Sequence, residues 1–338
     1  MLVSIVIPLF NEEASLPLLL ERLAQTVKKL DKGTEYEILL INDGSRDRTG
    51  QLLAQAANNH PSLRVIGLCR NFGHQIAVTA GLDAAQGDAV IVMDADLQDP
   101  PELIFPMLEL YALGYDVVSP QRTKRVGESW LKKVTAQAFY TLMRSWVDPR
   151  LVPQVGDFRL YSRRAVVAMR GLRERHRFLR GMVAWIGLKE ALLPFERAPR
   201  AAGETKYPFH KMFRFAWMAI TSSSSAPLRV VSSVGWTLAG ASIAALLSLL
   251  YLGATGSTWA NGITFLAAYQ GILAGGLLVA IGLVGDYLAR VYEESKGRPI
   301  YIVGETMNLA KLPQPENAIW LPPQSEFQRQ NLPDKKAA

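Results

Sequence analysis

Ala89-Val90-Ile91-Val92-Met93-Asp94-Ala95-Asp96-Leu97-Gln98-Asp99 joins an uncharged apolar run to closely spaced carboxylates, and this junction decides the fold reading. The apolar run reads as a buried strand. Strand alternation puts Asp94 and Asp96 on the same side at the sheet's carboxyl edge. Open α/β sheets bind ligands at that edge. Two hard oxygen donors there suit a divalent cation, Mg²⁺ or Mn²⁺, clamping a diphosphate. The plainer alternative is an acidic turn ahead of a helix that starts at Pro100-Pro101.

The flanking sequence repeats the pattern. Val3–Leu9, Glu37–Ile41 and Arg64–Cys69 read as strands. Between them, Ser15–Leu30 reads as a helix with Leu16, Leu19, Leu20 and Leu23 on one face, and Asp47-Arg48-Thr49 opens a helix running to about Asn58. A further helix from about Gln75 to Ala85 precedes Ala89. This βαβαβαβ order predicts an α/β fold with a parallel sheet and helices on both faces. Pro101–Leu113 continues as a helix into a strand at Asp116–Ser119. Beyond it, Ser129–Trp146 has helical spacing and Gly297–Val303 reads as one short strand. The Pro- and Gln-rich end from about Leu312 is expected to be mobile, and no internal repeat is visible.

Charge is divided unevenly along the 338 residues. Residues 1–121 hold 8 Lys and Arg against 16 Asp and Glu, and residues 122–229 hold 22 against 7. Between Arg229 and Asp286 there is no charged residue at all. Two apolar stretches fill this gap, Val230–Leu252 and Ile263–Gly285, each long enough to cross about 30 Å of hydrocarbon. Gly253–Gly262 would turn between them. Pro208–Ile220 sets Phe209, Met212, Phe213, Ala216 and Trp217 against Lys211 and Arg214, the pattern of an amphipathic helix lying in a membrane interface. Ser222–Ser225 with Pro227 supplies a hinge. The expected organisation is therefore a catalytic domain over 1–207, an interfacial helix and hinge over 208–229, a two-span hairpin over 230–285 and a C-terminal segment over 286–338.

Position decides between partners for the basic block. Lying directly before an apolar span, it favours membrane lipid headgroups or a phosphorylated substrate over nucleic acid. The connection between the spans has no Lys or Arg, whereas Lys211, Arg214 and Arg229 precede the hairpin and Arg290, Lys296 and Arg298 follow it. The positive-inside rule then puts both termini in the cytoplasm. Met1–Phe10 lacks a basic start and runs into Asn11-Glu12-Glu13, unlike a signal peptide. Cys69 stands alone, which excludes an intrachain disulfide and suits a reducing compartment.

Three motifs end neighbouring strands and should converge on one pocket: Val6-Ile7-Pro8-Leu9-Phe10-Asn11-Glu12, Ile41-Asn42-Asp43-Gly44-Ser45-Arg46-Asp47 and Asp94-Ala95-Asp96-Leu97-Gln98. With Arg70-Asn71-Phe72-Gly73-His74 and the two-span hairpin, they make Met1–Val303 resemble the family 2 glycosyltransferases of GT-A fold. The resemblance is narrower still to the polyprenyl-phosphate glycosyltransferases, the group containing dolichol-phosphate mannose synthase and bacterial bactoprenol glucosyltransferases. It implies that Pro8, Phe10, Asn11, Glu12, Ile41 and Asp43 bind the nucleoside of a nucleotide-sugar donor. Asp94 and Ala95 would lie beside the ribose and diphosphate, Asp96 with Asp94 at the metal, and Gln98 beside both. Gly156-Asp157-Phe158-Arg159-Leu160-Tyr161-Ser162-Arg163-Arg164 matches the segment that completes the family's active site. Asp157 could orient a sugar hydroxyl, serve as a base or stabilise the site's cations. Arg122 resembles a phosphate-reading arginine, and Arg200 with Gly203-Glu204-Thr205-Lys206-Tyr207 resembles a loop closing over donor and acceptor phosphates. Asp157, Gln98 and Arg122 are thus the catalytic candidates, and Arg122, Arg200 and Lys206 the phosphate and acceptor contacts.

The activity implied is inverting transfer of one hexose, glucose from UDP-glucose first, to undecaprenyl or dolichyl phosphate at the cytoplasmic face of the cell membrane. A GDP-mannose or modified-arabinose donor is the nearest alternative. A processive polysaccharide synthase would carry more spans and a Gln-x-x-Arg-Trp motif, which this chain lacks. A silent sugar-nucleotide scaffold would have lost the Asp pair, and a dehydrogenase would show Gly-x-Gly-x-x-Gly after the first strand. His60, His74, His176 and His210 have no metal-ligand spacing and are assigned no metal. The resemblance also implies assembly into a homo-oligomer, a tetramer.

Overall fold

The structure, a computed structural model, describes residues 1–123, 141, 144–196, 217, 220–221, 224–254, 262–309 and 318–320. Most of the expected helices Ser129–Trp146 and Pro208–Ile220, most of the turn Gly253–Gly262, and both Arg200 and Lys206 lie outside the described residues. So does the expected mobile tail, apart from three residues. The chain divides into one unit of Met1–Arg144, Asp148–Lys206 and Gly297–Ala338 and a second of Ser145–Val147 and Tyr207–Lys296.

The first unit runs β1 (Leu2–Leu9), α1 (Leu16–Val27), β2 (Glu35–Asn42), α2 (Thr49–Asn59), β3 (Leu63–Leu68), α3 (His74–Ala84) and β4 (Ala89–Val92). After a 3-10 turn at Pro101–Leu103 come α4 (Ile104–Ala112), β5 (Val117–Arg122), β6 (Arg159–Ser162), α5 (Arg163–Gly171), α6 (Leu179–Ile186) and β7 (Glu190–Phe195). β8 (Tyr301–Met307) and β9 (Ala318–Trp320) follow from the far end of the chain. The described strands form one sheet in the order β7-β5-β6-β4-β1-β2-β3-β8-β9.

Parallel pairing holds across β4, β1, β2 and β3, as the βα alternation requires. It does not extend to the whole sheet. β6 runs antiparallel to both β4 and β5, and β8 runs antiparallel to β3. A strand entering from the ligand-binding edge must run back across the sheet, and β6 does this with Arg159 opposite Val92. The reversal brings the residues just before β6 to the carboxyl end of β4. The C-terminal strand also departs from expectation, starting at Tyr301 rather than Gly297. Gly297 has φ +57, and Pro299 has no N–H to give a ladder.

Both faces of the sheet are buried. Val3, Ile5, Ile7 and Leu9 pack with Leu16, Leu19 and Leu23 of α1, Leu53 of α2 and Met107 of α4. On the other face Val6, Leu39, Ile41, Val90 and Val92 pack with α3, α5 and α6. Contact is closest at Gly81 in α3, where a Cβ would stand 2.1 Å from Val6 Cγ1. Guanidinium groups fix the C-terminal end of the same helix, just beyond Gly81. Arg170 donates to the carbonyls of Leu82 (2.8 Å from Nη2) and Ala85 (2.7 Å), and Arg173 pairs with Asp83 at 2.8 Å. Cations there also oppose the helix dipole. Gly81→Val should therefore push α3 off the sheet and cost about 1–3 kcal/mol or more. Thermal melting checks this, and an unchanged midpoint would contradict it.

The second unit contains α7 (Ala226–Ala254) and α8 (Gly262–Ser295). Their apolar side chains face outward, with Trp236 78% and Leu278 and Val279 each 70% exposed. That is the reverse of a soluble helical core, and apolar patches of this extent mark an interaction surface. Among the described residues one segment, Ile272–Ser295, is long and apolar enough to cross a membrane. α7 covers the whole of the first stretch expected to span, but only one such segment meets the test. α8 runs ten residues past the expected end at Gly285 and takes in Asp286 and Arg290. Within this unit Tyr287 Oη donates to the Ser224 carbonyl at 2.6 Å. A cavity of about 310 Å³ is lined by Trp146, Trp217, Pro227, Val230, Leu283 and Asp286 among others.

Candidate active site

The carboxyl ends of β1, β2, β4 and β5 and the start of β6 lie along one edge of the sheet. There the first two loops are tied together by short polar side chains. Asn11, at φ +56, accepts the Arg46 N–H at 2.9 Å and gives its own N–H to Ser45 Oγ at 3.0 Å. The Glu12 N–H donates to Thr49 Oγ1 at 2.9 Å, and the Glu12 carboxylate accepts from Ser15 Oγ. Asn42 Oδ1 accepts the Ser45 N–H at 3.0 Å, the side-chain-to-backbone bond expected of Asn in a turn. Gly44 lies at φ +65, where a Cβ would meet the Arg70 carbonyl carbon at 2.4 Å, so only glycine fits. Pro8 and Ile41 are buried beneath these loops, and Phe10 is 42% exposed above them.

Asp43 is buried, and both its oxygens accept backbone N–H bonds, from Phe72 at 2.7 Å and Gly73 at 2.9 Å. Burial raises its pKa and the two amides partly offset this. Its carboxylate therefore holds the β3–α3 turn, a task not visible in the sequence.

Strand alternation does not set the Asp94 and Asp96 geometry, because β4 ends at Val92. Both carboxylates sit in the turn that follows. Leu97, at φ +54, bends this turn, and Asp96 Oδ1 accepts the Gln98 N–H at 3.1 Å. Asp96 is exposed, whereas Asp94 is half-buried with Ala95 buried behind it. Asp94 Oδ1 is buried without a hydrogen bond, and His74 Nε2 lies 3.5 Å from it. Burial pushes the Asp94 pKa up most. His74 pulls it back, Asp157, Asp96 and Asp99 raise it again, and the result is about 6.

These residues fit a small divalent cation. A buried carboxylate oxygen left without a donor is costly, and a metal would satisfy it. Among the described residues no group of three or more His, Cys, Asp or Glu side chains is arranged to hold a metal ion by itself. Mg²⁺ is commonly held by only one or two carboxylates plus substrate phosphates.

Asp157 lies in the segment just before β6 and is only 11% exposed. Three nitrogens surround it: Arg180 Nε at 2.9 Å, Gln75 Nε2 at 3.1 Å and His74 Nε2 at 3.4 Å. Burial alone would raise its pKa, but the His74 hydrogen bond and the Arg180 charge outweigh that and hold it well below the usual carboxylate range. The complementary effect falls on His74. Burial would lower its pKa, yet the Asp157 hydrogen bond and the Asp94 and Asp157 charges raise it overall. The edge thus carries a fixed carboxylate and an imidazole whose pKa is raised by its carboxylate neighbours.

Arg122 Nη2 pairs with the buried Asp99 at 3.1 Å, and the Arg122 N–H donates to the Gln154 carbonyl at 3.2 Å. A Cβ on Gly156 would stand 3.0 Å from the same Nη2. Arg122 therefore links the acidic turn to the segment that delivers Asp157. Gln98 is half-buried in that turn.

The sequence reading missed His74, Gln75, Arg180 and Asp99. The signal for the first two was present, since Gly73-His74-Gln75 opens a helix just after a strand end on the same edge. Nothing in the sequence separates Arg180 from the other cations of its basic stretch.

The glycosyl transferase family 2 model matches residues 4–169, which include these strand ends and Asp157. An uncharacterized glycosyltransferase of Bacillus subtilis, YkcC, is 40% identical over 306 residues, covering 90% of this chain and 94% of the relative. The chain belongs to glycosyl transferase family 2. This glycosyltransferase is also 38% identical over 316 residues to the bactoprenol glucosyl transferase of Shigella phage SfV, covering 90% of this chain and 98% of the relative. Among solved structures, glucosyl-3-phosphoglycerate synthase from Mycobacterium tuberculosis, in complex with Mn²⁺, UDP and glucosyl-3-phosphoglycerate, is 22% identical. That comparison covers 65% of this glycosyltransferase and 77% of the synthase, with a TM-score of 0.42.

Proposed function

We propose that this glycosyltransferase transfers one glucosyl group from UDP-glucose to polyprenyl phosphate at the cytoplasmic face of the cell membrane, inverting the anomeric centre. The observation that carries the reading is the combination of two features in one chain. The acidic turn stands at the ligand edge of the sheet, and the chain also holds long, largely apolar helices with outward-facing apolar side chains. A soluble acceptor would give those helices no purpose. The name of the SfV relative supports both the sugar and the lipid. The second apolar stretch and the cation distribution support two spans with both termini cytoplasmic. The apolar cavity of the second unit is suited to isoprenoid carbon.

Pro8, Phe10, Asn11, Glu12, Ile41 and Asp43 would form the nucleoside side of the site, with Ala95 and Asp94 beneath the ribose and diphosphate. Asp96 and Asp94 would hold Mg²⁺ or Mn²⁺, which when bound supplies positive charge for the departing diphosphate. A lipid phosphate is already anionic near neutral pH, its second pKa being about 6, and needs little help from a base. Its oxygen attacks the anomeric carbon as the bond to UDP breaks, and the bonding pair leaves with UDP. Asp157, held ionised by His74, Gln75 and Arg180, is suited to orient a sugar hydroxyl rather than to collect a proton. Arg200 and Lys206 remain proposed contacts to the acceptor phosphate.

A donor screen with the full-length protein and polyprenyl phosphate tests the reading. UDP-glucose should turn over fastest, ahead of UDP-galactose and GDP-mannose. Faster turnover of GDP-mannose would overturn the sugar assignment, and glucosyl transfer only to non-lipid acceptors would overturn the lipid one.

A further inference from the structure

The turn Phe72-Gly73-His74-Gln75 touches both halves of the site in four consecutive residues. Its first two N–H groups are bound by Asp43, from the motif assigned to the nucleoside. Its last two side chains are bound to Asp157, beside the acidic turn. Gly73 joins the pairs at φ +101, a conformation that L side chains rarely adopt, so the direction of the turn is fixed by the backbone itself.

Gln75 is held at both ends of its amide. Its Oε1 accepts the Leu179 N–H at 3.0 Å, from the first residue of α6, and its Nε2 donates to Asp157 Oδ2 at 3.1 Å. The Leu179 N–H can only donate, so the amide oxygen must face it and the NH₂ must face Asp157. One residue further along α6, Arg180 meets the other Asp157 oxygen at 2.9 Å. His74 Nε2 lies between Asp157 Oδ2 at 3.4 Å and Asp94 Oδ1 at 3.5 Å. With Oδ1 held by Arg180 of α6 and Oδ2 by Gln75 and His74 of α3, Asp157 has one available orientation.

We propose that His74 and Gln75 are positioning residues for glycosyl transfer, acting through Asp157 and tying its orientation to the turn that Asp43 holds beside the nucleoside. The proposal rests on the assignment of this edge as the transfer site. It assigns His74 and Gln75 no contact with donor or acceptor. Errors of about 1 Å in the placement of a reacting group cost on the order of 10²-fold in rate, so such a clamp has a measurable consequence.

A double-mutant cycle on the full-length enzyme tests it. Gln75→Met keeps the length of the side chain and removes both hydrogen bonds. It should lower kcat about 10-fold while the donor Kd from calorimetry stays within about twofold. In an Asp157→Asn background the same change should lower kcat less than about twofold, because the group it positions has already been altered. Gln75→Glu still accepts from Leu179 but repels Asp157, and should fall below Gln75→Met. His74→Gln retains a donor near the Nε2 position and should keep more activity than His74→Ala. Equal fold losses in the two backgrounds would overturn the proposal, as would losses confined to donor Kd. If Gln75→Met does not fold, the cycle is run with His74→Ala and read by the same two criteria. Rates are followed as UDP release, with glucosyl-lipid measured in parallel. Missing lipid product with intact UDP release would therefore count against the acceptor assignment alone, and additive losses against the clamp alone.

Discussion

Replacing Asp96 with alanine should abolish glucosyl transfer while leaving the fold in place. Asp96 is exposed, and its Oδ1 accepts the Gln98 N–H at 3.1 Å within the same turn. Losing one exposed side-chain-to-backbone bond costs about 1 kcal/mol, a midpoint shift of roughly 2–4 °C in a protein this large. The chemical cost is of another order. Asp94 alone would face the cation and diphosphate, and burial, the largest cause of its raised pKa, remains in the variant. Removing one group that meets charge in a transition state costs about 10²–10³-fold, and loss of the ion itself costs more. Transfer assays with added Mg²⁺ or Mn²⁺ and thermal melts separate the two effects. Excess chelator should reproduce the loss in the unaltered enzyme. Full turnover by Asp96→Ala, or by the unaltered enzyme in chelator, would reject the metal assignment.

The central strands were legible because their chemistry is monotonous. A strand buried on both faces must be apolar along its length, and Val3–Leu9, Glu37–Ile41, Arg64–Cys69 and Ala89–Met93 place the four parallel strands to within a few residues. The antiparallel strands were not legible in direction. Arg159-Leu160-Tyr161-Ser162 contains a buried arginine, and no local rule specifies which way it enters the sheet. The site was legible at the strand ends, where turn residues and carboxylates coincide. It was illegible where a side chain works on the backbone of a distant turn, as Asp43 does at Phe72, or where one arginine among many finds a carboxylate, as Arg180 does at Asp157. Such pairings are long-range and carry no periodicity. The Asp94 and Asp96 reading reached the right edge by a local rule that does not operate there, since the strand ends two residues before Asp94.

Asp157→Asn should lower transfer by about 10²-fold and change how stability depends on pH. Asparagine keeps the shape but brings an NH₂ toward a site lined by Arg180 Nε, Gln75 Nε2 and His74 Nε2, so at least one donor must turn away. The direction of the pKa shift fixes the sign of the pH effect. In the folded protein Asp157 lies below its ordinary value of about 3.9, so its interactions stabilise the fold fully above that value and are lost as pH falls through the folded pKa. The variant should thus melt below the unaltered enzyme at pH 7 and approach it as pH drops below about 4. A gap that stays constant down to acid-induced unfolding would show that the charge contributes nothing to stability. Rate data answer the separate question of a base. A general base of near-neutral pKa would give kcat/KM an acid limb that disappears in Asp157→Asn. A carboxylate held this low gives none in the working range, so any limb near pH 6 should persist in the variant and belong to Asp94 or to the acceptor phosphate. Disappearance of that limb in Asp157→Asn would make Asp157 the base after all, and the three nitrogens around it would then need a different explanation.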